Sequence, residues 1–227
     1  MIKRKHWHRL PSRPVLDALP QLSWGSGETS AARDAAALMV YVSLAFMAQR
    51  EYLKPDTEVS IAAATYDALT TATGLSRQMI SLALSRLAEL QLIQKQGSPQ
   101  NRRYLLTGSE GYWFKLPCLA LIGESEIRPF QHFKLRSKVE LYALKLYLYL
   151  AARRDNDTLY SMSSRETIAA ATGIPERHVR RARSFLVSCG LLDVVTQKYN
   201  EYAGKNEPTR YYLLGHAQLV RPDLQAA

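Results

Sequence analysis

The residues LTTATGLSRQMISLALSRLAELQLI (69–93) align without a gap on IAAATGIPERHVRRARSFLVSCGLL (168–192), with one constant shift between them. A chain carrying such an internal repeat is expected to build the same local unit twice. Each copy reads as a short helix ending in Ala-Thr-Gly, an aliphatic residue, a cap or proline, and a second amphipathic helix ending in Leu-Ile or Leu-Leu. The match extends outward. PDTEVSI (55–61) corresponds to NDTLYSM (156–162), and RRYLLTG (102–108) to TRYYLLG (209–215). Ahead of each copy stands a long apolar helix, ending in MAQRE or LAARR.

The predicted order in each half is therefore long helix, short strand, helix, tight turn, helix and two strands. Gly74 and Gly173 stand where a helix must stop and the chain must turn, which a residue tolerant of positive φ permits. Ser76 suits an N-cap, and Pro175 suits a first helical turn. Two helices joined by a short turn and followed by a hairpin make a winged helix-turn-helix. The expected fold class is mainly α with small β-hairpins (α+β), built as two tandem winged helix-turn-helix domains. The expected boundaries are a basic N-terminal arm over 1–30, a first domain over 31–110, a connecting segment over 111–132 and a second domain over 133–220.

Charge narrows the function. The chain of 227 residues carries a formal net charge of +10 and a pI near 9.7, which favours polyanionic partners such as nucleic acid or an anionic membrane surface. The most apolar stretches, 35–48 and 139–152, are shorter than the roughly 20 residues that span a bilayer. The opening MIKRKHWHRL has no apolar run behind it, so no signal peptide is expected. Cys118 and Cys189 are the only cysteines and lie far apart, which argues against a disulfide framework or zinc site and suits a cytoplasmic location.

The sharpest signal is RHVRRARSF (177–185). At 3.6 residues per turn, Val179, Ala182, Leu186 and Cys189 share one side, with Phe185 at its edge. Arg177, Arg180, Arg181, Ser184 and Ser188 share the opposite side, and Arg183 lies on the border. A solvated charged face would explain exposure but not the sign, because only Glu176 offsets the four arginines. Crowding like charges costs a few tenths of a kcal/mol per close pair, roughly, unless a polyanion is in contact. In a helix-turn-helix this face enters the major groove, where arginine can bond guanine edges or grip phosphates.

The first copy differs. Ile80, Ala83, Leu87 and Leu90 form its core stripe, widened by Leu84, and its outward positions are Gln78, Ser81, Leu82 and Ser85, with Glu89 last. Gln78 could read adenine and the serines could reach phosphates, whereas Leu82, at the most exposed position, would suit a protein surface. The second half is expected to dominate DNA affinity, and the first to add weaker contacts, homodimerisation or a partner protein. The hairpins contribute Lys95, Arg102 and Arg103 in the first copy and Lys198, Lys205 and Arg210 in the second, as phosphate contacts or as ordinary edge protection. The arm residues Lys3, Arg4, Lys5 and Arg9 are read as a disordered extension that orders on DNA.

The segment FKLRSKVELYALKLYLYLAARR (133–154), with a basic-Leu-x-Ser turn and then Leu-Tyr-x-Leu, resembles the helix opening the second winged helix of replication initiators from plasmids and integrative elements. The resemblance covers most of 31–215. It implies a second winged helix that binds repeated origin sites more strongly, and a first that contributes dimerisation and further DNA contacts. The Ala-Thr-Gly-Ile-Pro turn at 171–175 is similar instead to bacterial winged-helix regulators and replisome organisers.

No enzymatic constellation emerges, and neither an activity nor a cofactor is expected. GSGET (25–29) is a loop with a helix cap and not a nucleotide cradle, and no HExxH is present. His6-Trp7-His8 matches the His-apolar-His pattern of metal-dependent nicking enzymes but has no strand pattern around it. The tyrosines of YALKLYLYL have helical spacing and suit a core or an interface. The expected function is sequence-specific duplex-DNA binding in replication initiation, with transcriptional repression, or a winged-helix protein-interaction role in a DNA-processing or defence complex, as alternatives.

Overall fold

The computed structural model describes residues 2, 4–25, 28–54, 57–98, 102–155, 158–202 and 204–219. The chain begins with β1 (Trp7–Pro11), α1 (Ser12–Ala18) and a 3-10 turn, Leu19–Gln21. It continues through α2 (Glu28–Met47), β2 (Ala48–Lys54), β3 (Thr57–Ala63), α3 (Tyr66–Thr73), α4 (Arg77–Glu89), β4 (Ile93–Gln96), β5 (Arg103–Leu106) and β6 (Trp113–Pro117). After a 3-10 turn at Arg128–His132 come α5 (Lys138–Arg153), β7 (Ser161–Ser163), α6 (Arg165–Thr172), α7 (Glu176–Ser188) and β8 (Leu192–Thr196). Two short strands, β9 (Tyr199–Asn200) and β10 (Lys205–Asn206), precede β11 (Thr209–Leu213), and a last 3-10 turn spans His216–Leu219. The architecture is mixed α and β, with small antiparallel sheets.

The repeated sequence occupies equivalent places in two sheets. In the first, β3 pairs with β5 and β5 with β4; in the second, β7 pairs with β11 and β11 with β8. In both, the strand ahead of the helix pair lies beside the return strand of the hairpin that follows it. The turns between the helices also share their bonding. The Thr73 hydroxyl donates to the Leu69 carbonyl at 2.7 Å and accepts from the Leu75 amide at 3.2 Å. The Thr172 hydroxyl donates to Ile168 at 2.6 Å and accepts from Ile174, again at 3.2 Å. Gly74 and Gly173 close their helices with φ of 74° and 68°, so the left-handed cap expected of each glycine is present.

One core joins both halves. Helix α2 is buried on every side from Ala35 to Ala48, and α5 is buried from Ala143 to Ala151, as expected of helices that are apolar all round. They pack on each other, α4 packs on α2, α7 packs on α5, and one large cluster of buried side chains runs through both halves, with Val59, Ile61 and Leu105 forming a small separate one.

Three expectations are corrected. Residues 7–22 belong to the folded body: β1 pairs antiparallel with β6, Trp7 opposite Pro117 and Pro11 opposite Trp113, while Leu10, Val15, Leu19 and Leu22 enter the core. The segment 111–132 contributes Phe114, Leu116, Leu121, Ile127 and Phe130 to that core and so does more than connect. The first long helix stops at Met47, and MAQRE passes into β2, whose backbone is taken up by pairing with β3 from Ala48 opposite Ala62.

Candidate nucleic-acid interface

Helix α7 follows the α6 turn through Pro175, whose extended backbone sets the start of the helix. Val179, Ala182 and Leu186 are buried, and Phe185 meets Phe133 edge to face at 5.0 Å, which fixes the rotation of the helix about its axis. Arg177, Arg180, Arg181, Ser184 and Ser188 are exposed, and Arg183 is half-buried at the border. None of the four arginines forms a hydrogen bond or ion pair with any described residue. The Ser188 hydroxyl turns back to the Phe185 carbonyl at 2.9 Å.

Two further cations adjoin this face. His178 lies against Tyr142 with ring centroids 5.5 Å apart. Burial and then the charges of Lys138, Arg177 and Arg181 hold its imidazole below the ordinary value, which places Lys138, the first residue of α5, beside the arginines. Burial raises the Tyr211 phenol, against the pull of the Thr209 hydroxyl and of the charges of Arg183 and Arg165, so the first residue of α6 lies within electrostatic reach of the same phenol as Arg183. Neither Lys138 nor Arg165 is among the residues that the sequence pattern assigns to this face. Lys138 sits in the basic run FKLRSK, and Arg165 directly follows a cap: the Ser164 hydroxyl accepts from Thr167.

The α4 face is built differently. Ser76 caps the helix, accepting from Met79 at 3.2 Å, and Gln78, Ser81 and Ser85 are exposed. Its arginines are already engaged: Arg77 pairs with Asp67, and Arg86 with Asp34 and Glu89. Leu82 is half-buried, so the expectation of a fully exposed apolar residue is corrected; the helical period puts it on the edge of the buried stripe that holds Ala83.

The hairpin cations divide. Lys95 is exposed on β4. Arg102 donates to the Tyr66 hydroxyl at 2.9 Å with its guanidinium 4.9 Å from the ring centre. Burial would raise the Tyr66 phenol, but hydrogen bonds from Ser81 and Arg102 and the charges of Arg102 and Lys95 bring it below the ordinary value. Arg103 is tied to Glu51 across the sheet, and Arg210 to Glu207 at 2.9 Å while lying over Tyr160, so both spend their charge internally. Lys198 is exposed between β8 and β9, near the exposed Tyr199. The Lys205 side chain and Lys3 lie outside the described residues. Arg9, read as part of an arm, is held on β1 between Trp113 and Glu58.

Among the described residues no group of His, Cys, Asp or Glu is arranged to hold a metal, and no helix is long and apolar enough to cross a membrane. His8, expected to lie outside any strand, is on β1, buried against Phe46. Cys118 and Cys189 are both buried and unbridged. No protein-family model, curated protein or solved structure matches the chain.

Proposed function

We propose that the protein is a tandem winged-helix DNA-binding protein that holds duplex DNA by the outer face of α7, acting as a replication initiator. The observation carrying the reading is the contrast between two equivalent helices. The arginines of α4 are matched by Asp67, Asp34 and Glu89, whereas Arg177, Arg180 and Arg181 of α7 face solvent and none of its four arginines has a partner among the described residues. A patch of unmatched guanidinium groups in the recognition position suits phosphates and guanine edges, since the planar fork fits both. Lys138 and Arg165 add nearby positive charge, and phosphate contacts of that kind set the register of a helix in the groove. The equivalent strand order of the two sheets and the matched Thr-Gly turns support a repeated winged unit. The initiator role rests on the likeness of residues 133–154 to initiators; a repressor would use the same face.

The test is binding of a labelled duplex across a salt series. Log K should fall by about 0.9 per phosphate neutralised for each unit of log salt. Changing Arg180 and Arg181 together to alanine should flatten the slope by roughly 1 to 2 units. An unchanged slope would remove α7 from the interface. Sequencing the DNA that copurifies with the protein separates the roles, through enrichment at a repeated origin or at a promoter.

A further inference from the structure

A second basic site lies away from α7. A cavity of about 310 Å³ opens between β1, the end of α2 and the β2–β3 hairpin. Lys5, Arg9 and Arg50 line it together with His6, Trp7 and His8, and Ala45 and Ala48 form part of an apolar wall. Three fixed cations therefore converge on a small volume. One carboxylate answers them: Glu58 lies 2.8 Å from Arg50 and 3.8 Å from Arg9. Two positive charges are left over, and the partial charge at the C-terminal end of α2, about half a unit, does not offset them.

The arrangement has the marks of an anion site. Bringing two guanidinium groups near each other is unfavourable; burial and then the charge of Arg50 push the Arg9 guanidinium below its ordinary value. Arg9 is nevertheless held in place, its guanidinium 3.9 Å from the centre of the Trp113 ring, and Trp113 in turn stacks on Trp7. Its Nε is enclosed without an acceptor among the described residues. An under-neutralised pair of guanidinium groups, one of them packed on Trp113, beside the Trp7 indole and an apolar wall suits a dianionic head on a small, partly apolar body. The volume stands at the small end of the range for ligand cavities, roughly 300–1,000 Å³. A phosphate monoester carries about −1.5 to −2 charge at neutral pH, close to the charge left over here.

We infer that this cavity binds the phosphate monoester group of a small molecule, with Arg50 and Arg9 gripping the phosphate and Trp7 beside the body of the ligand. The site is separate from α7 and does not depend on the DNA-binding reading.

Trp7 supplies the readout. The full-length protein is titrated with inorganic phosphate at constant ionic strength while tryptophan fluorescence is followed. A saturable change is expected, weakened at least tenfold by Arg50→Ala and several-fold by Lys5→Ala. Lys5 is exposed and has no described side-chain partner, so its variant should keep the native melting temperature and remain informative if Arg50→Ala does not fold. The same titration with phenyl phosphate should saturate at lower concentration than with inorganic phosphate, because the ring adds apolar contact. A wild-type response that is absent, or that merely tracks ionic strength, would overturn the assignment. So would equal affinity in wild type and the folded Lys5→Ala variant.

Discussion

Asp34 on α2 accepts from Arg86 Nε on α4 at 2.8 Å, and its second oxygen accepts from the Ser23 amide, also at 2.8 Å. The carboxylate is almost fully enclosed, and Arg86 reaches past it to the Gln21 carbonyl at 3.3 Å. This pair fastens α4 to the centre of the molecule. Asp34→Ala leaves a largely buried guanidinium without its main acceptor and is expected to cost about 2 to 4 kcal/mol. Chemical denaturation should show the loss at neutral pH. Replacing the exposed Arg180 with alanine should leave stability within about half a kcal/mol, as for an exposed surface substitution.

Gly74 and Gly173 supply a symmetric test of the repeat. Both have left-handed φ, and a methyl group added at either would meet no forbidding contact: nothing lies within 4 Å at Gly74, and the nearest atom at Gly173 is 3.4 Å away. The cost of alanine is therefore backbone strain at both positions, about 1 to 2 kcal/mol each. Thermal denaturation of Gly74→Ala and Gly173→Ala should give similar losses. A large loss at one and none at the other would deny that the turns are equivalent.

What could be read in advance, and what could not, follows from the range of each interaction. The face of α7 was legible because its pattern is local: 3.6-residue periodicity alone separates Val179, Ala182 and Leu186 from Arg177, Arg180 and Arg181. The Gly74 and Gly173 caps were legible because left-handed backbone favours one residue type. Strand β1 was not, since WHRLP finds its partner in Trp113–Pro117, far along the chain, and alternates weakly by itself. Nor could periodicity reveal that Arg103 and Arg210 are matched by Glu51 and Glu207 while the arginines of α7 are not. The single core was hidden for the same reason. Two apolar helices in a repeat can form two cores or one, and only the packing of α2 on α5 decides.

Lys145 on α5 is almost fully buried, and its ammonium donates to the Leu22 carbonyl at 2.8 Å. Burial pushes its pKa down to about 8, with the Asp34 charge opposing the fall. The folded-state value is thus below that of the unfolded chain, near 10.4. Between those values the unfolded chain binds more protons, so this group makes the protein more stable as pH rises from about 8 toward 10; below 8 both states are protonated and the slope vanishes. The gain over the window is on the order of 3 kcal/mol. Lys145→Met should abolish it, so between pH 7 and 9.5 the difference in denaturation midpoint should shift in favour of the wild type as pH increases.

If α7 holds duplex DNA as proposed, His178 should couple that binding to pH. In the free protein burial and the charges of Lys138, Arg177 and Arg181 hold the imidazole below its ordinary value, which favours its neutral form. Phosphates laid against those cations would cancel their repulsion and add attraction for a proton, raising the imidazole pKa in the complex. The bound state then holds more protons than the free state below about pH 7, and affinity should increase as pH falls through the imidazole range. His178→Gln should bind with little pH dependence between 5.5 and 8, measured at one fixed salt concentration. Proton uptake can be read independently from isothermal titration in buffers of different ionisation enthalpy. Arg177→Ala combined with Arg181→Ala should raise the free-state imidazole pKa, visible by NMR titration, and so shrink the uptake. An imidazole unmoved by duplex DNA in wild type, while binding persists, would place the nucleic acid on a different face of the protein.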